Sequence, residues 1–284
     1  MANKTFILCV GAQKAGTTWL WKLLNQHPQV NLGCSKEYHF FDALFTREQG
    51  FRLAADKRTE KAIIDTGTSA CHVDKLLSFY REPSAYFDYF SQLLSFDGIN
   101  LTGDFTPSYA LLTASDFACL KAMFDQYGIN LKVIFIMREP YDRIWSACRM
   151  HKKNRPSLFH DAEDSVLSEE TYLRENYQRT DIARRTEYHH TLTALQSAFS
   201  PTELKFLVYE RLFQVDTITE LCRFFEISDT DLHLNFLPVN KTQRTEHISA
   251  NCVNLIQNHY RYVVDSVNRL LPELRIKDVW YGYD

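Results

Sequence analysis

The feature that most constrains the fold is an apolar run that leads through a glycine-containing loop into a helix-like stretch. Residues 5–10 read Thr-Phe-Ile-Leu-Cys-Val, a run of strand formers, and residues 11–16 contain two glycines. Apolar residues then recur at helical spacing from Trp19 to Leu24, and Pro28 stops the pattern. This order of strand, loop and helix predicts an α/β fold.

Two later segments repeat the same order. Residues 131–137 form a buried-strand pattern followed by an amphipathic stretch that reaches Met150, and residues 204–209 precede a predicted helix over 217–225. A longer helix is predicted over 250–271. Strands that alternate with helices predict a three-layer domain in which helices flank a central, mainly parallel sheet. No linker, repeat or low-complexity tract divides the chain, so we expect one domain spanning residues 1–284.

Composition excludes several functional classes. The formal net charge of −3 and pI near 6.4 argue against a nucleic-acid or anionic-membrane coat, so any anion site must be a local basic cluster. The seven cysteines contain no CxxC pair, which argues against a disulfide framework or a zinc site, and we expect them to be reduced and mostly buried. No signal-peptide pattern or membrane-span-length apolar window occurs, so we expect a cytoplasmic protein.

The first loop reads Gly-Ala-Gln-Lys-Ala-Gly-Thr-Thr over residues 11–18. At a strand-to-helix turn, backbone N–H groups and the helix dipole converge on an anion. In a phosphate loop of nucleotide triphosphatases a lysine directly follows the second glycine, whereas here Thr17 follows Gly16 and the lysine is Lys14. A lysine at this position suits a leaving group that gains charge beside a bridging oxygen. The alternative is an ordinary turn with an exposed lysine.

Residues 13–20, Gln-Lys-Ala-Gly-Thr-Thr-Trp-Leu, resemble the 5'-phosphosulfate-binding loop of the bacterial-type sulfotransferases that use 3'-phosphoadenosine-5'-phosphosulfate (PAPS). The resemblance implies a P-loop-like fold, PAPS as donor, 3'-phosphoadenosine-5'-phosphate (PAP) as product, and no metal requirement. It also implies that the loop binds the donor through Lys14, Ala15, Gly16, Thr17, Thr18 and Trp19, with Lys14 stabilising the leaving group.

The second strand-helix unit carries a candidate site for another phosphate. Arg138 ends the predicted strand and Ser146 follows eight residues later, and a guanidinium fork with a hydroxyl suits phosphate binding. The stretch 137–146 resembles the 3'-phosphate motif of the same family, which implies that Arg138 and Ser146 bind that group. Arg143 either joins them or pairs on the surface with Asp142 or Glu139.

Later segments extend the resemblance. Residues 240–244, Asn-Lys-Thr-Gln-Arg, resemble a basic loop that closes over the nucleotide, which implies cofactor contacts from Lys241 and Arg244; a solvated charge cluster is the alternative. Tyr188 and the strand end at Tyr209-Glu210 also match the family pattern, and we expect Glu210 to orient the basic residues.

The candidate base lies in residues 35–42, Ser-Lys-Glu-Tyr-His-Phe-Phe-Asp. A carboxylate beside aromatic residues can have its pKa raised toward neutrality, as general base catalysis requires. The segment resembles one in the heparan sulfate N- and 3-O-sulfotransferase branch, which implies that Glu37 is the base. His39 is the alternative base or a structural histidine, and Lys36 either steers the sulfuryl group or pairs with an acid.

The acceptor is less constrained. Asp104 and Phe105 stand where the glycosaminoglycan branch usually has Glu-Lys, so a cation is absent and an aromatic wall is expected on the acceptor side. Aromatic residues near the proposed site favour an apolar or ring-bearing acceptor, with core packing as the alternative: Tyr38, Phe40, Phe41, Phe105 and Tyr109. A small molecule, a lipid and a carbohydrate all remain open.

These patterns together predict sulfuryl transfer from PAPS to a hydroxyl or amine by in-line displacement. One alternative is a phosphoryl-transfer enzyme, such as a nucleotide or small-molecule kinase, but it needs a lysine directly after Gly16 and a strand-end aspartate for magnesium. The chain has Thr17 and Arg138 at those places. The other alternative is a catalytically silent PAP-binding protein.

Overall fold

A four-stranded parallel sheet forms the centre of the protein. The computed structural model describes residues 4–45, 78–159, 167–229 and 246–283. The strands are β1 (Thr5–Gly11), β2 (Leu101–Asp104), β3 (Asn130–Met137) and β4 (Leu204–Val208). Their order is β2-β1-β3-β4, with Thr5 opposite Leu101 and Asn130 and with Val133 opposite Leu204. The predicted α/β architecture with a parallel sheet flanked by helices is therefore confirmed.

The burial of the central strands explains why they were visible in the sequence. All seven residues of β1 are buried, as are the last five of β3, because helices cover both faces of a parallel sheet. The sequence patterns over 5–10, 131–137 and 204–209 match β1, β3 and β4. The short strand β2, Leu-Thr-Gly-Asp, was not predicted, since four residues with two polar side chains give no clear strand periodicity.

The helices lie between and after the strands. They are α1 (Thr17–Leu24), α2 (Phe40–Phe45), α3 (Ser84–Ser95), α4 (Ala114–Gln126), α5 (Pro140–Asn154), α6 (Glu169–Asn176), α7 (Thr180–Ala183), α8 (Tyr188–Ala198), α9 (Val215–Phe225) and α10 (Ala250–Leu270). Short 3₁₀ helices span Pro107–Leu111, Pro156–Phe159, Tyr209–Arg211, Pro272–Leu274 and Ile276–Asp278. The predicted helices over 217–225 and 250–271 correspond to α9 and α10. Within the described ranges, no helix is both long enough and apolar enough to cross a bilayer.

The helices that follow β3 pack against one another. Helix α10 packs against α5, α6 and α8, and α8 packs against α4. Four of the six described cysteines are buried, Cys34 and Cys119 are exposed, and all six are free thiols, as the sequence predicted; Cys71 lies outside the described residues.

The carboxyl ends of the four parallel strands meet at one edge of the sheet. Four segments begin there: the loop after Gly11, the turn after Asp104, Arg138 after β3, and Tyr209 after β4. This edge is where open α/β sheets bind ligands. The fold therefore brings the separate sequence motifs to the same place.

Candidate active site

The first loop turns β1 into α1 through residues with positive φ, among them Lys14 and Gly16. Lys14 has φ 70° and Gly16 has φ 91°. Gly16 is the N-cap of α1, and its carbonyl accepts the N–H groups of Trp19 and Leu20. The first N–H groups of a helix have no intrahelical acceptor, so those of Thr17 and Thr18 lie at the positive end of the helix dipole. This geometry suits an anion.

Lys14 lies in a concentration of positive charge. Burial lowers its pKa, and four nearby cations lower it further: Arg138, Arg149, Arg143 and Lys36. Because the whole chain carries a net charge of −3, this cluster is local, as the composition required. Like charges held together in a partly buried site favour the binding of a multiply charged anion.

Arg138 connects the second strand-helix unit to the first loop. Its Nη1 donates to the carbonyl oxygen of Lys14 at 3.2 Å, and its guanidinium stacks over the ring of Tyr209 at 4.4 Å. Nη2 lies 3.6 Å from the carboxylate of Asp142. Ser146 lies two turns along α5 and is buried. The structure thus brings Lys14 and Arg138 together although 124 residues separate them.

Arg143 differs from the surface ion pair that the sequence left open. Its side chain is completely buried, and Nη2 donates to the carbonyl oxygen of Ile182 at 3.1 Å. Among the described residues, its Nε and Nη1 atoms find no hydrogen-bond partner. Surface pairing with Asp142 or Glu139 is therefore wrong, because α5 turns this residue toward the interior.

Arg149 was not identified from the sequence. It lies one turn beyond Ser146 on α5, is 8% exposed, and packs over the ring of Trp145 at 4.8 Å. Its charge lowers the pKa of Lys14. Its spacing of three residues from Ser146 in a predicted helix was the available signal.

The proposed base belongs to a chain of charged and polar groups. Glu37 Oε1 lies 2.6 Å from Lys36 Nζ, and Glu37 Oε2 lies 3.5 Å from His39 Nε2. On the other side of the imidazole, His39 Nδ1 lies 2.7 Å from Asp42 Oδ2, which also accepts the hydroxyl of Ser108 at 2.5 Å. The side chain of Glu37 is 40% exposed and that of Asp42 is 4% exposed, so Glu37 is the accessible carboxylate.

The protonation states in this group differ from the sequence expectation. Burial by itself would raise the pKa of Glu37, but the hydrogen bond to His39 and the nearby Lys36 lower it to about 2. Burial opposes charge on His39, but hydrogen bonds to Asp42 and Glu37 raise its pKa to about 9. The predicted upward shift for Glu37 is therefore wrong. His39 is protonated at neutral pH and would have to lose a proton before acting as a base.

The turn after β2 holds the base segment in place. Thr106 Oγ1 accepts the N–H of Tyr38 at 3.0 Å, and the N–H of Phe105 donates to the carbonyl oxygen of Lys36 at 3.0 Å. Asp104 is fully buried and accepts hydrogen bonds from Thr106 at 2.6 Å and from Tyr109 at 2.7 Å. Burial raises the pKa of Asp104 to about 6, against these hydrogen bonds. Asp104 thus acts as the structural anchor of the segment.

The aromatic residues beside the base are part of the core. Five of them are at most 1% exposed: Tyr38, Phe40, Phe41, Phe105 and Tyr109. Phe40 stacks on Tyr86 with the ring centroids 4.2 Å apart. The expected aromatic wall at Phe105 is therefore wrong, because the side chain packs inward. These residues give no support to a ring-bearing acceptor.

The remaining predicted residues fall into three groups. Trp19 packs against Phe213 at 4.8 Å and is 3% exposed, and the backbone N–H groups of Trp19 and Ala15 donate to the carbonyl oxygens of Gly16 and Ala12. Glu210 accepts the N–H of Glu139 at 3.0 Å, consistent with a structural role. Lys241 and Arg244 lie outside the described residues.

Two further features of the described residues bear on ligand binding. The described residues contain no group of three or more His, Cys, Asp or Glu side chains arranged to hold a metal ion. A surface cavity of about 390 Å³ lies between residues 110–114 and the start of α8, and none of the sequence-predicted site residues lines it.

Comparison with known proteins identifies the type of fold and family. A family model described as the sulfotransferase family matches residues 7–231. A sulfotransferase from Alicyclobacillus acidocaldarius is 21% identical, with 97% of each chain covered and a TM-score of 0.58. The sulfotransferase domain from the curacin biosynthetic pathway is 15% identical, with 97% of this chain and 98% of that one covered and a TM-score of 0.51. At these identities the structures support the fold alone. Curated protein sequences gave no match.

Proposed function

The chain belongs to the sulfotransferase family, and from this premise we propose that it transfers a sulfuryl group from PAPS to a hydroxyl or amine acceptor. The observation that carries the proposal is a contact between two parts of the site, which we call its two corners. The first corner is the loop of residues 11–18, and the second is the segment from Arg138 to Ser146. They meet where Arg138 Nη1 donates to the carbonyl of Lys14 at 3.2 Å. PAPS carries a phosphosulfate and a separate 3'-phosphate on one nucleoside, so it needs two such corners close together.

The donor groups present suit this ligand. Among the described residues, the Nε atom of Arg138 is buried without a hydrogen-bond partner, and the four charged groups that lower the pKa of Lys14 are all cations. The N–H groups of Gly16, Thr17 and Thr18 would bind phosphate oxygens. Arg138 and Ser146 would bind the 3'-phosphate. Lys14 would stabilise the charge that develops on the leaving phosphate as the sulfur–oxygen bond breaks.

Glu37 would act as the base on the acceptor side. It would take the proton of the acceptor hydroxyl while the oxygen forms its bond to sulfur and the bond from sulfur to the bridging oxygen breaks. A pKa of about 2 makes the free carboxylate a weak base. If Lys36 turns from Glu37 toward the sulfuryl oxygens, the pKa of Glu37 rises when the base is needed. His39, bonded to Asp42, would keep the carboxylate oriented.

The cations around Lys14 would neutralise the charge that magnesium neutralises in a kinase, so we predict turnover without added metal. The resemblance of the base segment to the heparan sulfate branch supports the role of Glu37 but not a particular acceptor. A small molecule, a lipid or a carbohydrate remains the acceptor class, and we expect the protein to act in the cytoplasm.

The test is calorimetric titration with PAP and with AMP, which lacks the 3'-phosphate, in the presence of EDTA. We expect wild type to prefer PAP strongly. Arg138→Ala should weaken PAP binding by about 10- to 100-fold and leave AMP binding nearly unchanged, because a charge-assisted phosphate contact contributes about 1.5–3 kcal/mol. Arg223→Ala, which removes an exposed arginine on α9, is the control for a change in net charge.

Two outcomes would contradict the proposal. Binding of ATP with magnesium but not of PAP would support a phosphoryl-transfer enzyme instead. Tight PAP binding with no PAPS consumption by wild type across a panel of alcohols and amines would support a catalytically silent protein. If wild type does consume PAPS, Glu37→Gln should abolish most of that turnover while PAP affinity stays the same.

A further inference from the structure

A segment distant in sequence contacts the N-terminus of the helix that follows Arg138. Residues 275–283 come after α10, and two aromatic side chains in this segment donate hydrogen bonds to carboxylates, of which that of Glu139 is buried and that of Glu210 is half-buried. The hydroxyl of Tyr283 donates to Glu139 Oε1, and Nε1 of Trp280 donates to Glu210 Oε2 at 2.8 Å. Glu139 directly follows Arg138, and Glu210 follows β4.

The two carboxylates are themselves connected. Glu210 Oε1 accepts the N–H of Glu139 at 3.0 Å. Glu139 is the N-cap of α5, and its side chain accepts the N–H groups of Tyr141 at 3.1 Å and Asp142 at 2.5 Å. One continuous hydrogen-bond network therefore runs from Tyr283 through the first turn of α5 to Trp280.

This network accepts the N–H of the Arg138–Glu139 peptide, and Tyr188 bonds to the carbonyl of the same peptide. The hydroxyl of Tyr188 donates to the carbonyl oxygen of Arg138 at 2.7 Å. The direction of the Arg138 side chain and the rotation of α5, which sets the position of Ser146, both depend on this peptide and this cap. Displacements of about 1 Å in groups that bind a reacting ligand are enough to weaken recognition.

We propose that Tyr283 and Trp280 are positioning residues for recognition of the 3'-phosphate of the donor, acting through the N-cap Glu139 and through Glu210, which accepts the N–H of Glu139. The proposal rests on the proposed function, since it assumes that Arg138 and Ser146 bind that phosphate. Neither aromatic residue would touch the ligand.

The hydroxyl of Tyr283 stabilises the ionised form of the Glu139 carboxylate. Burial raises the pKa of Glu139 to about 7, and the hydrogen bond from Tyr283 opposes this rise by stabilising the carboxylate. Removal of the hydroxyl leaves a buried carboxylate oxygen with one donor fewer, which the cap can recover only by shifting.

The segment has its own anchors on α10, so a single hydroxyl can be removed without releasing it. Arg261 Nη1 donates to the carbonyl oxygen of Tyr283 at 3.2 Å, and Gln257 Nε2 donates to that of Tyr281 at 3.0 Å. Tyr283→Phe is therefore expected to fold. Tyr281, whose side chain is 74% exposed, provides a matched control as Tyr281→Phe.

The experiment measures dissociation constants of PAP and AMP for wild type, Tyr283→Phe, Trp280→Phe and Tyr281→Phe, with thermal unfolding of each. We expect Tyr283→Phe to weaken PAP binding about fivefold and to leave AMP binding within about twofold, so that the preference for PAP falls. Trp280→Phe should act in the same direction, and Tyr281→Phe should match wild type. If Trp280→Phe does not fold, the result for Tyr283→Phe decides.

A second background tests the route of the effect. If Tyr283 acts through Arg138, Tyr283→Phe should cause no further loss of PAP preference in an Arg138→Ala protein. An unchanged preference in Tyr283→Phe overturns the positioning role, as does an equal weakening of PAP and AMP, which would indicate general destabilisation. A wild type that does not prefer PAP over AMP overturns the proposed function and this inference together, whereas a normal wild type with an unchanged Tyr283→Phe overturns this inference alone.

Discussion

The two corners of the proposed site, the first loop and the segment around Arg138, are built in different ways. The first loop uses consecutive residues over 11–18, and its main elements are backbone N–H groups, one lysine and a glycine with positive φ. The second corner depends on distant residues: Tyr188, 50 residues from Arg138, and Tyr283, 144 residues from Glu139. A site built from consecutive residues should lose catalytic activity when those residues are substituted. A site that is positioned by residues distant in sequence should lose its preference for PAP over AMP when those residues are substituted.

The sharpest test of this contrast is Lys14→Met. Loss of a cation at the leaving group should lower kcat by about 10²–10³-fold, as for other groups that stabilise developing charge, with a smaller loss in PAP affinity. The measurement is steady-state PAPS turnover beside a PAP titration. Lys22→Met, which changes an exposed lysine on α1, should keep both values. An equal loss in kcat and PAP affinity would remove the distinction between the corners.

A second test is the backbone of the first loop. Gly16→Ala places a Cβ atom 2.7 Å from Leu212 Cδ2 at φ 91°, so we expect a loss of about 3 kcal/mol in the free energy of unfolding, measured with urea. Gly128→Ala also has positive φ, 63°, but its Cβ meets no atom within 4 Å. It should cost only about 1 kcal/mol. Equal losses would show that packing against Leu212 is unimportant.

Glu139, which caps the helix of the second corner, should also make the stability of the protein depend on pH. Glu139 has its pKa raised by burial from 4.5 to about 7, so the folded protein holds a proton that the unfolded chain releases. This contribution is present below pH 4.5 and is lost as the pH rises through 7. Wild type should therefore lose about 3 kcal/mol more stability than Glu139→Gln between pH 4.5 and 7.5, measured by urea unfolding.

Asp104 also has a raised pKa, but it is present in both proteins and cancels in the comparison. Parallel pH curves for wild type and Glu139→Gln would contradict the shift. Burial and the neighbouring cations lower the pKa of Lys14, but this residue is likewise present in both proteins and cancels in the comparison.

The smallest expected effect is that of Arg138→Lys. Lysine keeps the charge but loses the planar fork and the stacking over Tyr209, so we expect about tenfold weaker PAP binding with kcat within about threefold of wild type. Titration and turnover on the same preparation provide the measurement. If the lysine variant binds PAP as tightly as wild type does, only the positive charge of Arg138 contributes to binding, and its planar fork and stacking do not.

The parts of the site that sequence predicted are those with local causes. The strands over 5–10 and 131–137 were visible because burial on both faces makes a continuous apolar run. The placement of Lys14 and Gly16 in a strand-to-helix loop followed from their immediate neighbours. The role of Arg149 and the buried position of Arg143 could not be predicted in this way. The face of α5 that is covered depends on its packing against α10 and against the segment that contains Ile182.

By itself, the sequence determined the α/β order of elements, the charged loop and the set of chemically capable residues. Only the tertiary structure decided their protonation, burial and orientation. Glu37 has a low pKa because His39 and Lys36 surround it, the aromatic residues beside it turn into the core, and Tyr283 donates a hydrogen bond to the N-cap residue of a helix far away in sequence. Electrostatic and packing energies depend on distance in space, and distance along the chain gives no measure of it.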